Sequence, residues 1–227
     1  GERIGVPARA GYRKLDLNAP LETHGVPVVA LAGTCMEAGK TAAACQMVSR
    51  MRHRGLTVDV FKATGVSLRR DILAMEDAGA RNSMIFTDLG IITTTRAVGP
   101  ALTRTMITDI SAKKPDVIVF ELGDGILGTY GVDSILECDD IRKALTGVVL
   151  SANDPVAAWG GVKLLRERFG IERLDIFHAF ADADVFDRQA ELLAEAFTEH
   201  TPFLAHAGGG GGRAVGSREH RQVVPFG

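Results

Sequence analysis

The fold of this chain is decided by Gly33-Thr34-Cys35-Met36-Glu37-Ala38-Gly39-Lys40-Thr41. The stretch follows an apolar run at 26–32 and opens an Ala-rich segment, Lys40–His53, that we expect to be helical. A strand, a glycine-bearing loop, Gly-Lys-Thr and a helix are typical of a phosphate-binding loop, whose backbone N–H groups hold an anion. Lys40 adds a cation that can reach the β- and γ-phosphates, and the Thr41 hydroxyl can bind Mg²⁺.

One position departs from the usual pattern of this loop. The first glycine usually lies five residues before the second, and that place is held by Thr34, with Gly33 directly ahead of it. The loop is therefore a variant. We predict that it contacts a nucleotide through Gly33, Thr34, Glu37, Ala38, Gly39, Lys40 and Thr41.

Composition excludes several classes of partner. The chain has 227 residues and a net charge of −2, so it lacks the basic surface that nucleic acids and anionic membranes attract. No apolar run approaches the length of a membrane span, and no secretory signal is visible. The three cysteines have neither metal-site nor disulfide-framework spacing, which suits a reducing compartment. These features predict a cytoplasmic protein that binds neither membrane nor nucleic acid.

Apolar strands alternate with helical segments along most of the chain, which predicts an α/β fold with a doubly wound, mostly parallel sheet and helices on both faces. We divide the chain into an arm or remnant of a preceding domain (1–25), a P-loop nucleotide-binding domain (26–206) and a flexible Gly-rich tail (207–227). The predicted strands are 26–32, 57–61, 83–87, 116–120, 147–152 and 174–179. The predicted helices are 40–53, 70–78, 100–113, 134–145, 155–169 and 185–200.

Polar side chains follow five successive strands, where an open parallel sheet binds its ligands. Lys62 follows the second strand, and we assign it with Lys40 to catalysis, as a second cation for a phosphate or a substrate carboxylate. Asn153 follows the fifth strand, where its amide can contact a base or form a turn before Pro155. The positions after these strands therefore predict a nucleotide site at one edge of the sheet.

Magnesium prefers oxygen ligands, few of them from protein. Thr41 and Glu121 are the best pair for it, and Asp88 and Asp71 are alternatives for a third ligand. Either aspartate could instead cap a local turn or helix. Glycines at 123–131 allow a close approach to substrate, with Asp124 and Tyr130 as the side chains able to act there. Arg96 is a further residue that could clamp a carboxylate or remain solvated.

With these residues in place, the chain resembles dethiobiotin synthetase. That family's loop runs Gly-Thr, two residues, Glu, one residue and Gly-Lys-Thr, as residues 33–41 do. Lys62 matches its second active-site lysine, Glu121 its magnesium-binding Glu, and Asn153 its base-contacting Asn. The resemblance covers roughly residues 26–206 and implies ATP and Mg²⁺ as cofactors, a small-molecule substrate and a homodimer.

The chain also departs from that family. Lys62 is followed by Ala63 where the family has Pro, and Leu122-Gly123-Asp124-Gly125 stands where it has Ala-Gly-Gly. The chain is also similar to cobyrinic-acid amidases, to an accessory domain of some phosphate acetyltransferases and to the P-loop half of D-amino-acid N-acetyltransferase-like proteins. The last group carries an extra segment before the loop, which residues 1–25 could represent.

We therefore expect an ATP- and Mg²⁺-dependent ligase-type enzyme that activates a small carboxylate or carbamate by phosphoryl transfer. One alternative is an acyltransferase that uses the P-loop fold to bind coenzyme A. Another is a nucleotide-controlled switch or metallochaperone. Such switches carry a second lysine after the first glycine of the loop, where this chain has Thr34 and Cys35.

Overall fold

The computed structural model describes residues 15–16 and 18–178, and strands and helices alternate along them. The strands are β1 (Val28–Gly33), β2 (Val58–Lys62), β3 (Asn82–Ile85), β4 (Val117–Glu121), β5 (Gly147–Ala152) and β6 (Leu174–His178). The helices are α1 (Lys40–His53), α2 (Arg69–Asp77), α3 (Gly99–Ser111), α4 (Val132–Leu136), α5 (Asp139–Ala144) and α6 (Pro155–Phe169). A short 3-10 helix, Phe86–Leu89, follows β3.

The six strands form one parallel sheet in the order β3-β2-β4-β1-β5-β6. One apolar core lies between the sheet and helices α1 and α2. The other lies between the sheet and helices α3 to α6. The predicted doubly wound α/β fold with helices on both faces is confirmed, and all carboxyl ends of the strands meet at one edge.

The central strands read as continuous apolar runs because both of their faces are covered. Every residue of β1, β2, β4 and β5 is buried. On the face covered by α3, the rings of Phe61 and Phe120 stack with centroids 4.5 Å apart. These two residues are register partners, so the stacked pair fixes β2 against β4 just before the strands end at Lys62 and Glu121.

Two predicted elements are corrected by the structure. The third strand ends at Ile85 rather than at 87, because the chain turns into the 3-10 helix when Asp88 Oδ2 accepts a hydrogen bond from the Ile85 N–H. The predicted helix 134–145 is two helices. Cys138 is extended between them, and Arg142 Nη1 donates to the Leu136 carbonyl at the end of α4, 2.9 Å away.

The domain boundaries remain predictions. The described part of the arm runs along α3, where the Glu22 N–H donates to Thr108 Oγ1 and Ser111 Oγ donates to the Glu22 carbonyl. The predicted helix 185–200, the last residue of the predicted sixth strand and the Gly-rich tail lie outside the described residues. Among the helices that are described, none combines the length and apolar character needed to cross a bilayer.

The stability of the edge strand β3 should depend on an ion pair between a buried carboxylate and an exposed guanidinium. Asp59 on β2 is fully buried, and Arg81 donates to both its oxygens, at 3.0 and 2.8 Å. Among the described residues, Arg81→Met leaves that carboxylate with the hydrogen bonds from Asn82 alone, so we expect urea unfolding to show a loss of about 2 kcal/mol. Arg166→Met, an exposed control on α6, should change stability by less than about 0.5 kcal/mol; equal effects of the two substitutions would contradict this role.

Candidate functional site

A cavity of about 350 Å³ opens at the edge of the sheet where the parallel strands end. The phosphate loop and the start of α1 form one wall, and the loops after β2 and β4 form the other. Of the residues predicted for the site, it brings together Glu37, Gly39, Lys40, Thr41, Lys62, Asp71 and Glu121. The sequence therefore predicted most of the polar lining of this cavity, while the roles assigned to these residues remain predictions.

The start of the phosphate loop is hydrogen-bonded to β5 and to the loop after β4. The Thr34 N–H donates to the Ser151 carbonyl on β5, and the Ile126 N–H donates to the Gly33 carbonyl. Gly39, the residue before α1, has φ 90°, a conformation that favours glycine. This turn starts α1 at Lys40 with its first N–H groups free of a side-chain cap, as an anion-binding helix N-terminus requires.

Gly33, the glycine that lies one residue ahead of its usual place in the loop, packs against the Lys40 side chain. A Cβ added at Gly33 would lie 2.7 Å from Lys40 Nζ and 2.9 Å from its Cδ. The ammonium donates a 2.9 Å hydrogen bond to the Cys35 carbonyl of the same loop. Burial lowers the pKa of Lys40, while Glu121 opposes that shift. A glycine at this position therefore provides the space in which Lys40 lies inside the loop.

Thr41 and Glu121 meet on the cavity floor, where the Thr41 hydroxyl donates to Glu121 Oε2 at 2.9 Å. Glu121 is 3% exposed. Burial raises the pKa of Glu121, and it outweighs the opposing effects of Lys62, the Thr41 hydrogen bond and Lys40. A buried carboxylate beside a hydroxyl is a hard-oxygen donor set, so these two residues fit the chemistry of Mg²⁺.

Lys62 lies beside Glu121 because their Cα atoms are register partners on β2 and β4. Its ammonium donates to Asp71 Oδ2 in the first turn of α2, and the lysine is 5% exposed. Arg70, the residue before Asp71, also lines the cavity, and its Nε lies 3.6 Å from Asp71 Oδ1. The cavity thus has cations on both walls, with Glu121 and Asp71 between them.

The two candidates for a third metal ligand are placed differently. Asp71 lines the cavity, whereas Asp88 is absent from its lining and caps the 3-10 helix through Ile85. The position in the cavity therefore favours Asp71, and the metal-ligand role stays a prediction for both residues. Among the described residues, no group of three or more His, Cys, Asp or Glu side chains is arranged to hold a metal. A site made of Thr41, Glu121 and phosphate oxygens needs no such group.

Asn153 lies after β5 on the other side of the phosphate loop. Its Nδ2 donates to Cys35 Sγ at 3.2 Å. Its Oδ1 is buried and, among the described residues, has no hydrogen-bond partner. The same holds for Thr34 Oγ1 and Ser151 Oγ. Buried polar atoms normally have partners, so this end of the loop has unused hydrogen-bonding capacity.

The wall opposite the phosphate loop was only partly predicted. Thr64 Oγ1 donates to the Gly123 carbonyl, and Thr94 Oγ1 accepts from the Gly65 N–H and donates to the Tyr130 carbonyl. These hydroxyls join the loops after β2, before α3 and after β4. The sequence missed Val66, Leu68 and Arg70 as lining residues, and their position after the carboxyl end of β2 was the one signal that could have indicated them.

Glycines let these loops touch through their main chains. A Cβ at Gly123 would lie 2.3 Å from the Thr64 carbonyl oxygen, and one at Gly125 would lie 2.8 Å from that of Thr34. Arg96 is not in the lining, because it pairs with Asp133 and, at 3.1 Å, with Glu137. The possible carboxylate clamp is therefore part of an ion-pair network between the segment before α3 and α4.

Comparison with known proteins shows the fold and leaves the family open. No protein-family model matches the chain, and no curated protein matches it. The chain is similar in structure to the signal recognition particle receptor FtsY from Elizabethkingia anophelis in complex with GDP. The TM-score is 0.52 and the identity 12%, over 74% of this chain and 53% of that chain. The chain thus spans about half the length of the FtsY structures.

Two further structures match with lower TM-scores. The hydrogenase maturation factor HypB from Archaeoglobus fulgidus has a TM-score of 0.45 and 14% identity, over 76% of this chain and 90% of that chain. A DUF1611 family protein from Anabaena variabilis has a TM-score of 0.47 and 14% identity, over 82% of this chain and 57% of that chain. Likeness at such identities extends to the fold alone. The P-loop fold is confirmed, and membership of a dethiobiotin synthetase-like family is not shown.

Gly33 should be needed for phosphate binding more than for folding. In Gly33→Ala the new methyl group meets the flexible end of Lys40, so we expect stability to change by less than about 1 kcal/mol. Because Lys40 must leave its position, affinity for a nucleoside triphosphate should fall at least about tenfold by calorimetry. Gly160→Ala is the control, since nothing lies within 4 Å of its added Cβ. Unchanged affinity in Gly33→Ala would contradict the role of this glycine.

The raised pKa of Glu121 predicts how its replacement responds to pH. A carboxyl whose folded-state pKa is raised costs stability as pH rises through that pKa, starting from its ordinary value of 4.5. Glu121→Gln avoids this cost and can keep an acceptor for Thr41. In EDTA, we expect the melting temperature of the variant relative to the parent to increase as pH rises from about 4 to 8. Glu172→Gln, at an exposed position, should show no such trend; a pH-independent difference at Glu121 would contradict the buried charge.

Proposed function

We propose that this chain is an ATP- and Mg²⁺-dependent enzyme of the ligase type that phosphorylates a small carboxylate or carbamate. The observation that carries the proposal is the cavity at the carboxyl edge of the sheet, which is lined both by the phosphate loop and by residues of the loops after β2 and β4. We call the part lined by Lys62, Val66, Leu68, Arg70 and Tyr130 the second compartment. A switch that only hydrolyses nucleotide has no need of a second substrate compartment. An enzyme that transfers a phosphoryl group needs a nucleotide site and an acceptor site side by side, because the phosphoryl donor and its acceptor must lie together.

The residues on the phosphate side suit a triphosphate. A nucleoside triphosphate carries about four negative charges at neutral pH, and Lys40 lies in the loop that would hold it. Thr41 and Glu121 would hold Mg²⁺, which neutralises charge on the phosphates when bound. In the ligand-free chain Lys40 donates to a loop carbonyl, so binding exchanges that hydrogen bond for charge-assisted ones to phosphate.

The second compartment suits a small anionic molecule with an apolar part. Lys62, Arg70 and Tyr130 supply its polar groups, and Val66 and Leu68 line it with exposed apolar side chains. We assign Lys62 to hold the attacking group beside the γ-phosphoryl. The substrate oxygen attacks the γ-phosphorus and ADP leaves. An internal or incoming nucleophile then attacks the carbonyl carbon of the mixed anhydride, and inorganic phosphate leaves. The protein supplies position and charge rather than a covalent link.

The structural comparison supports nucleotide binding and leaves the reaction open. The FtsY structure with a TM-score of 0.52 contains GDP, so this fold holds a nucleotide there. FtsY is named as a receptor, not as a ligase. A nucleotide-controlled switch is therefore kept as one outcome of the tests below. The absence of a lysine at Thr34 and Cys35 counts against that alternative. The homodimer and the cytoplasmic location remain part of the proposal.

Nucleotide binding can be tested by thermal shift, because a ligand of the native state raises apparent stability. With ATP and Mg²⁺ at about a hundredfold excess over Kd, we expect a rise of about 5 °C or more. The rise should be smaller with ATP in EDTA and lost in Lys40→Ala, while Lys143→Ala, an exposed control, retains it. Stabilisation by coenzyme A with no effect of ATP and Mg²⁺ would overturn the proposal in favour of acyl transfer.

Phosphate release separates an acceptor-dependent enzyme from a switch. With ATP and Mg²⁺, we expect release to depend on a small acid from a panel of mono- and dicarboxylates and amino acids. Lys62→Ala should lower kcat/KM for that acid about a hundredfold or more, with ATP affinity within about threefold of the parent. Steady hydrolysis that no acid or amine stimulates would overturn the ligase-type reaction and support the switch.

A further inference from the structure

We propose that Lys62 and Mg²⁺ compete for the carboxylates of Asp71 and Glu121, and that Lys62 turns from Asp71 to the second substrate only when the metal is bound. This inference rests on the proposed function and adds the order in which the site is assembled. Asp71 is then a positioning residue, because it holds Lys62 until the metal binds.

The first observation is the ion pair that holds Lys62. Its ammonium donates to Asp71 Oδ2, and the two side chains are only 6% and 15% exposed. Water and salt screen a pair buried to this extent much less than they screen a surface pair. The role that we assign to Lys62, holding the attacking group of the substrate, therefore requires this pair to open.

The second observation is that Glu121 lies next to this pair. Lys62 and Glu121 are register partners on neighbouring parallel strands, so their Cα atoms are about 4.8 Å apart and their side chains share one face of the sheet. Glu121 accepts the hydrogen bond from Thr41, and these two residues are the ones that suit Mg²⁺. A cation held by Glu121 therefore lies on the same side of the sheet as the Lys62 ammonium, and like charges at such a separation repel.

The charge of the cavity also favours a cation as its first ligand. Its lining carries four carboxylates and three cations, which are Glu37, Asp71, Glu121 and Asp124 against Lys40, Lys62 and Arg70. Three positive and four negative charges leave the lining with a formal charge of −1. Such a lining repels a free nucleoside triphosphate and attracts a divalent cation, so we expect Mg²⁺ to enter with the nucleotide or before it.

Asp71 can change partners without being left unpaired. Its Oδ1 lies 3.6 Å from Arg70 Nε, and the Arg70 side chain is 80% exposed. Asp71 also lies in the first turn of α2, where the helix N-terminus favours a negative charge. When Lys62 leaves, the carboxylate thus keeps a guanidinium beside it and can turn Oδ2 to another cation.

The exchange sets an order of binding. In the ligand-free chain, Asp71 holds the Lys62 ammonium. With Mg²⁺ held by Thr41 and Glu121, that ammonium is released within the same cavity and can bind a substrate carboxylate in the second compartment. Mg²⁺ and the acceptor should therefore bind with positive coupling, each raising the affinity for the other.

The ion pair can be followed in the full chain by heteronuclear NMR of the Lys62 side-chain ammonium. Its signal, assigned by its loss in Lys62→Arg, should be visible in EDTA, because a buried and hydrogen-bonded group exchanges its protons with water slowly. Saturating Mg²⁺ should remove or shift this signal, and Asp71→Asn should lack it in either condition. A signal that is unchanged by saturating Mg²⁺, or retained in Asp71→Asn, would overturn the inference.

Competition also predicts that Mg²⁺ binds more tightly when Lys62 is removed. In calorimetric titrations with MgCl₂ alone, Kd should fall at least about tenfold in Lys62→Met and stay within about threefold of the parent in Lys62→Arg, which keeps a cation. Lys143→Met makes the same change at an exposed position and should leave Kd unchanged. An unchanged Kd in Lys62→Met would overturn the inference alone, whereas a parent chain that binds no Mg²⁺, with or without ADP, would overturn the proposed function.

Discussion

The site depends on the position of β4 between β1 and β2. Glu121, the last residue of β4, is the register partner of Leu31 on one side and of Lys62 on the other. A strand that enters the middle of the sheet in this way places its terminal carboxylate between the phosphate loop and the second lysine. Shifting the register of β4 by one residue would turn Glu121 to the opposite face of the sheet. The backbone pairing of the strands therefore assembles the site more than any single side-chain contact does.

Burial explains why charged groups can remain at this edge. Glu121, Lys40 and Lys62 are each almost fully buried, and a buried charge is tolerated when it is paired or hydrogen-bonded. Thr41 and Asp71 supply the nearest partners. Each of these pairings can be exchanged for a bond to an anion or a cation. In the ligand-free site each of these buried charged groups thus has a hydrogen-bond partner, and a bound ligand would replace some of these contacts.

The sequence predicted those parts of the site that follow from local signals. Gly39-Lys40-Thr41 lies between a strand and a helix, and Lys62 and Glu121 follow apolar runs, so each could be placed without coordinates. The pairing of Lys62 with Asp71 depends on where α2 begins, and that of Cys35 with Asn153 spans most of the domain. Asp88 was assigned to a strand end because the 3-10 helix has no sequence signal as clear as a glycine or proline. Contacts between distant loops were the part that periodicity and spacing could not provide.

The glycines at 123 and 125 have a consequence for changing the specificity of such a protein. Gly123 and Gly125 bring their loop against the main chains of Thr64 and Thr34, so close backbone packing, together with the Thr64 and Thr94 hydroxyls, holds the loops of the second compartment together. Side chains such as Val66, Leu68 and Tyr130 project from these loops without holding them together. Substrate range could therefore diverge among relatives, or be altered by design, through a few substitutions on an unchanged scaffold, whereas a change at either glycine would shift several loops together.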